Sequence, residues 1–137
     1  MTTRILVFAF GVASYLLFLV VVLWSVAFVG DLGFVKTVDS GAPTRSWMAS
    51  GLIDLALVAF FGVQHSVMAR APFKAWLARW LPPAAERSFY VLASSVALAI
   101  VFMAWQPVAI AIWNHNDGWA RTVLVALFWT GWAMVFA

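Results

Sequence analysis

Four long apolar runs separated by short polar stretches dominate the chain, and their lengths predict four helices that cross a membrane. Residues 5–29 form about 25 nearly unbroken apolar positions after the cationic start that ends at Arg4. A secretory leader has a shorter apolar core followed by a small-residue cleavage site, and no convincing one is present, so this run is a first transmembrane helix. Gly11, Ala13 and Ser14 offer close-packing positions on it, and Trp24 falls near its far interface. Residues 31–46, with Gly33, Gly41, Pro43 and charges at Asp31, Lys36, Asp39 and Arg45, have the composition of a polar loop. The second span covers residues 47–68 and opens on Trp47 as an interface anchor. The third covers 88–105, where Ala93 with Ala97 and Ser95 with Ala99 make small-xxx-small pairs suited to close helix contact. Asn114 to Gly118 is a polar turn, and residues 119–137 form the fourth run. That run ends without a charged flank, which leads us to expect the N-terminal part of a longer protein.

Residues 69–87 have a different pattern. Phe73, Trp76, Leu77 and Trp80 recur at helical spacing, with Lys74 and Arg79 on other faces. This predicts a short amphipathic helix over 72–81, lying in the membrane interface and ended by Pro82-Pro83. The fold class expected is therefore an all-α integral membrane protein, a single transmembrane domain over residues 1–137. Four transmembrane helices make it up, with the interfacial helix between the second and third.

Composition agrees, with 66% hydrophobic and only 9% charged residues among 137 and a mean hydropathy of +1.01, far from the balance of a soluble domain. The formal charge of +3 comes from eight Lys and Arg scattered between apolar runs. They form no basic stripe, so topology explains them and nucleic acid is excluded as a partner. Arg4, Arg70, Lys74, Arg79 and Arg87 fall on one side of the predicted spans and Lys36, Arg45 and Arg121 on the other. The excess of positive charge places the N-terminus and residues 69–87 in the cytoplasm, hence a multi-pass protein of the inner membrane. The absence of cysteine excludes disulfides, thiolate nucleophiles and cysteine-ligated metal.

Polar groups on a greasy helix are costly, which draws attention to Gln64-His65-Ser66 and to Arg70 one turn beyond. An imidazole there can exchange a proton near neutral pH; alternatively it hydrogen-bonds a neighbouring helix. His115 is the only other histidine, and the topology puts it across the bilayer, so neither haem nor structural zinc has a second ligand. Asp54 precedes His65 by eleven residues, which places both on one helical stripe about 16 Å apart. Either it contributes to a wet polar lining or it locks helix packing by accepting hydrogen bonds. Glu86 and Arg87 stand where the chain re-enters the bilayer beside the His65 end. There is no phosphate-binding glycine loop, nucleophile elbow or metal-spaced carboxylate pair.

One ordered set of motifs goes further. Gln64-His65-Ser66-Val67-Met68-Ala69-Arg70, Phe73-Lys74, Pro82-Pro83, Glu86-Arg87-Ser88, Tyr90-Val91-Leu92 with Ser94-Ser95, and Trp105-Gln106-Pro107 together resemble the N-terminal half of the membrane-bound methanethiol S-methyltransferases. These are relatives of the isoprenylcysteine carboxyl methyltransferases and, more loosely, of NnrU-type membrane proteins. The resemblance implies methyl transfer from S-adenosylmethionine to a small thiol, methanethiol giving dimethyl sulfide, with lipid and the thiol as partners and no metal. It also implies that the cofactor is held by a C-terminal half with an Arg-His-Pro stretch, which this sequence does not contain. The chain is thus expected not to bind the cofactor or act alone. Carried over by position, His65, Glu86 and Arg87 become the catalytic candidates and Gln64 and Arg70 substrate-binding ones, to which Ser66 and Asp54 are added from their own positions. The alternative is a non-enzymatic NnrU-like membrane protein.

Overall fold

In the computed structural model, which describes residues 2–108 and 118–137, the chain is all-helical. The helices are α1 (Thr2–Val29), α2 (Trp47–Ala69), α3 (Ala71–Leu77), α4 (Pro83–Ala104) and α5 (Trp119–Phe136). Four of them, all but α3, are long and apolar enough to cross a membrane. The polar turn at 114–118, with His115 and Trp113, lies outside the described residues except for Gly118.

The long helices match the apolar runs, but two boundaries differ. The third span begins at Pro83 rather than at 88, so Glu86 and Arg87 sit inside the first turns of α4. Pro83 occupies a position whose N–H has no helical partner in any case, so it opens the helix where the sequence had suggested only an end to the one before. Glu86 in the first turn also complements the helix dipole. The interfacial helix is correspondingly short: α3 stops at Leu77, and the backbone then tightens through i→i+3 bonds from Arg79 to Trp76 and Trp80 to Leu77.

α4 is the central element, packed against both α1 and α2. Its small residues make this possible: Ala85, Ser88, Ser95 and Ala97 are all buried. Gly11 of α1 lies against Ser88, where an added Cβ would come within 3.4 Å of the hydroxyl oxygen. Ser14 is buried on the same face and returns its hydroxyl to the Phe10 carbonyl at 2.7 Å, while Ala13 faces outward. At the other end Phe28 of α1 stacks on Phe102 with ring centroids 4.5 Å apart and meets Trp105 edge-on. The two helices therefore run parallel, and α2 runs antiparallel to α4, since Asp54 reaches Gln106 at its end and His65 reaches Tyr90 near its start. Among the described residues α5 buries none of its own, and its Phe128 lies beside Gly30, the residue that follows α1.

The polar loop between α1 and α2 closes the end of the bundle where α4 finishes. Lys36 donates from Nζ to the carbonyls of Met103 and Trp105 at 2.6 and 2.9 Å, satisfying oxygens left without helical partners. A cation at a helix C-terminus also meets the negative end of the dipole. The Lys36 carbonyl in turn accepts from Trp24 Nε1 at 2.8 Å, and Val38 N–H donates to the Phe28 carbonyl. Thr37, fully buried, bonds to Asp31 and Ser40.

Replacing Lys36 with Met should therefore lower stability by about 1–3 kcal/mol, the usual size for hydrogen bonds involving a charged group. Unfolding in mixed micelles, followed by tryptophan fluorescence, measures it. A loss below about 0.3 kcal/mol would reduce Lys36 to a topological charge.

Candidate functional site

The segment that attracted attention in the sequence, residues 64–70, does not converge on one place. Successive residues on a helix point about 100° apart, and α2 stays regular through it. Gln64 turns toward the α3 side, donates to Met68 Sδ and lines an apolar groove with Phe60, Trp76 and Phe89. Its carbonyl oxygen is buried with no partner. Ser66 and Arg70 are exposed, and Arg70 is the residue at which α2 gives way to α3.

Of residues 64–70, His65 is the one whose side chain bonds to side chains of α4 among the described residues. Its Nδ1 lies 3.2 Å from Ser94 Oγ, and its Nε2 lies 2.8 Å from the Tyr90 hydroxyl. Tyr90 and Ser94 are four residues apart and so share one face of α4, the one turned toward the imidazole. Phe61, one turn back on α2, lies against the opposite side of the imidazole with centroids 5.4 Å apart. If Nδ1 carries the proton and donates to Ser94, Nε2 accepts from the tyrosine O–H. This is a polar triplet of imidazole, phenol and hydroxyl at the contact of α2 with α4, with His65 exposed and Tyr90 and Ser94 half-buried.

Two spaces meet at Tyr90. The first is a small chamber of about 130 Å³ where α1, α2 and α4 come together, bordered by the His65, Tyr90 and Ser94 side chains. The second is a larger cavity of about 390 Å³ at the mouth, between the end of α2, α3 and the start of α4. Met68, Phe73 and Leu77 form its apolar part; Lys74, Glu86 and Arg87 supply charge. The structure thus unites Glu86 and Arg87 with Lys74, which the sequence had assigned to topology alone. Asp54 is not part of either group. It is 5% exposed and accepts the Gln106 backbone N–H at 2.9 Å at the other end of α4, and its second oxygen has no partner among the described residues. Tyr90 and Ser94 had entered the sequence analysis only within a motif. Their four-residue spacing was visible there, but nothing local tied it to a histidine 25 positions upstream. No cluster of three or more His, Cys, Asp or Glu suited to a metal ion occurs among the described residues.

Comparison with known proteins agrees with the motif order. The chain is 40% identical over 126 residues to a methanethiol S-methyltransferase of Pseudomonas sp. strain GM41, covering 92% of this chain and 48% of that protein. It is 40% identical over 133 residues to methanethiol S-methyltransferase 1 of Bradyrhizobium diazoefficiens, covering 97% and 46%. With the methanethiol S-methyltransferase of Pseudomonas deceptionensis it shares 44% over 107 residues, covering 78% and 40%. The chain spans about half the length of the curated relatives it matches. No family model and no solved structure matches it.

The contact between His65 and Tyr90 should register as a coupling of about 0.5–1.5 kcal/mol in a double-mutant cycle on stability using His65→Ala and Tyr90→Phe. Strict additivity of the two losses would show that the two side chains are neighbours without an energetic bond.

Proposed function

We propose that this chain, a relative of the methanethiol S-methyltransferases, forms the membrane-embedded, thiol-handling part of such an enzyme, methylating methanethiol to dimethyl sulfide. The observation that carries the proposal is the similarity over nearly the whole chain, joined to a histidine, tyrosine and serine gathered where α2 meets α4.

S-adenosylmethionine supplies an electrophilic methyl group on a sulfonium. The mouth cavity does not amount to a site for it. At about 390 Å³ it lies near the small end of the roughly 300–1,000 Å³ of small-molecule sites. Among the described residues, the two buried polar atoms left without partners, on Asp54 and Gln64, belong to residues that do not line it. The groups that bind the donor are therefore assigned to sequence outside this chain.

What these residues do is prepare the acceptor. A thiol is a poor nucleophile until its proton leaves, and an apolar site that excludes water keeps the resulting thiolate reactive. The thiol S–H bond breaks, its proton passes to the phenol oxygen, and the phenol proton moves to His65 Nε2. The thiolate so formed would be the nucleophile toward a sulfonium donor held elsewhere, whose S–CH3 bond would break as the new carbon–sulfur bond forms, its sulfur leaving as a neutral thioether. Ser94 holds the far ring nitrogen and so orients the base, while Glu86 and Arg87 at the mouth carry charge beside Tyr90. In this orientation the N-terminus, α3 and the start of α4 face the cytoplasm, and the protein resides in the inner membrane. The positive charges of Arg4, Arg70, Lys74, Arg79 and Arg87 support it.

Membranes from cells expressing a full-length protein that contains this chain together with the donor-binding part should transfer labelled methyl from S-adenosylmethionine to methanethiol. His65→Ala should slow the transfer by about 100-fold or more at unchanged protein level, the usual contribution of a positioned base. Asp54→Asn should change it only a few-fold. Absence of labelled dimethyl sulfide from well-expressed, folded protein would remove the proposal.

Because the chain has no native cysteine, single cysteines report orientation directly. Thr44→Cys should react with a membrane-impermeant maleimide in intact cells lacking an outer membrane barrier, whereas Ala78→Cys should react only after lysis. The reverse pattern would invert the topology.

A further inference from the structure

An open groove of about 720 Å³ runs along the first half of α1 where it meets the start of α4. Arg4, Phe8, Gly11 and Tyr15 line it and fall on one helical stripe. Eleven positions separate the arginine from the tyrosine, about 16 Å at 1.5 Å per residue. That is close to half of the ~30 Å hydrocarbon core, the depth of one leaflet. Gly11 and Ser88, both small, make the contact between the two helices along it, while Phe8, Val12 and Tyr15 are exposed on its α1 side. The charge is confined to one end, where Thr3 and Arg4 stand with Pro82 and Ala84 at the start of α4. A helix start leaves four N–H positions without a helical partner. Here Pro82 and Pro83 have no N–H, and Ala85 donates to the Pro82 carbonyl at 2.8 Å. Ala84 keeps its donor, and Ala84 lines the groove. Its N–H, the positive end of the α4 dipole and the Arg4 guanidinium all favour an anion there.

From this we infer that the groove holds one phospholipid with an anionic headgroup, its phosphate between Arg4 and the Ala84 N–H and an acyl chain laid along Phe8, Val12 and Tyr15. The inference does not depend on methyl transfer. Every membrane-spanning helix touches lipid, but this groove joins an anion site at headgroup depth to an apolar bed as long as one leaflet is deep. Its open side suits a lipid, which enters laterally from the bilayer. The selection of charge follows from the lining. Among the described residues no acidic side chain borders the groove. Glu86, in the first turn of the same helix, lines the mouth cavity instead, as does Arg87. A zwitterionic lipid would bring an ammonium group with no partner, so phosphatidylglycerol is preferred to phosphatidylethanolamine and phosphatidylcholine. The bound lipid bridges α1 and α4 beside the contact of Gly11 with Ser88.

The test counts lipids. A full-length protein that contains this chain is reconstituted in nanodiscs with equal amounts of phosphatidylglycerol and phosphatidylcholine. It is then released into mild detergent, and its retained lipids are identified by native mass spectrometry. Phosphatidylglycerol should be retained about fivefold over its share, the equivalent of about 1 kcal/mol for one basic residue at an anionic surface. Arg4→Gln should return retention to parity. Arg79→Gln removes a positive charge that does not line the groove and should leave the enrichment unchanged. Val12→Trp, which keeps Arg4 but fills the chain bed, should also lose the retained phosphatidylglycerol. Arg4 and Val12 are both exposed, so neither change disturbs the packed faces of the bundle. Phosphatidylethanolamine in place of phosphatidylglycerol should show no enrichment. Equal losses in Arg4→Gln and Arg79→Gln would reduce the effect to general surface attraction and overturn the inference. Enrichment of phosphatidylethanolamine to the same degree, or displacement of the lipid by excess inorganic phosphate, would overturn it as well.

Discussion

The bundle depends on keeping the backbone of α4 satisfied at the end where it stops beneath the polar loop that follows α1. In lipid an open carbonyl has no water to bond, so a helix end needs partners from the protein. Two side chains from different parts of the chain meet that need. Lys36, from the loop after α1, takes the carbonyls of Met103 and Trp105, and Asp54, from α2, takes the N–H of Gln106. Both lie at the same end of the bundle and tie α1, α2 and α4 together there. A polar loop and a carboxylate within a span, each costly alone, become the fastening of the three helices.

With that end fixed, small residues decide how closely the helices approach at the other. Ser88 and Ser95 on α4, with Gly11 and Ser14 on α1, remove side-chain bulk where the two helices meet. Without a hydrophobic force between helices in lipid, such close packing is a main source of association. It also brings Tyr90 and Ser94 of α4 up against His65 of α2. The same geometry leaves the small chamber beneath them, because Phe61 and Leu98 cannot fill the junction that α1 completes. Packing and site are therefore one arrangement: the residues that let α4 sit between its neighbours also bring Tyr90 and Ser94 to His65.

The mouth is built differently. There the chain turns from α2 through the short α3 into α4, and each turn places a charged residue beside an apolar one. Lys74 shows how a residue can satisfy two demands. Its charge suits the membrane face to which the chain returns, and its position lines the cavity that Glu86 and Arg87 share.

How much of this was legible in the sequence follows from the range of the forces involved. Apolar run length fixed the four long helices, because a span must match the thickness of the bilayer whatever its neighbours are. The resemblance carried by residues 60–107 pointed to the family, and His65 was singled out because an imidazole on an apolar helix is costly by itself. The sequence could not say which neighbours of His65 belong with it. Gln64 and Ser66 are adjacent along the chain but point to other faces, while Tyr90, 25 residues away, supplies the contact. Likewise Asp54 and His65 share a stripe on α2, yet α4 receives them at opposite ends. The start of α4 at Pro83 and the capping by Lys36 also lay beyond local pattern, since both depend on where another helix lies. Local hydrophobicity thus determined the elements and their lengths, and only the packing of α1 and α2 on α4 decided which polar groups meet, because side-chain contact requires a fixed angle and register between helices.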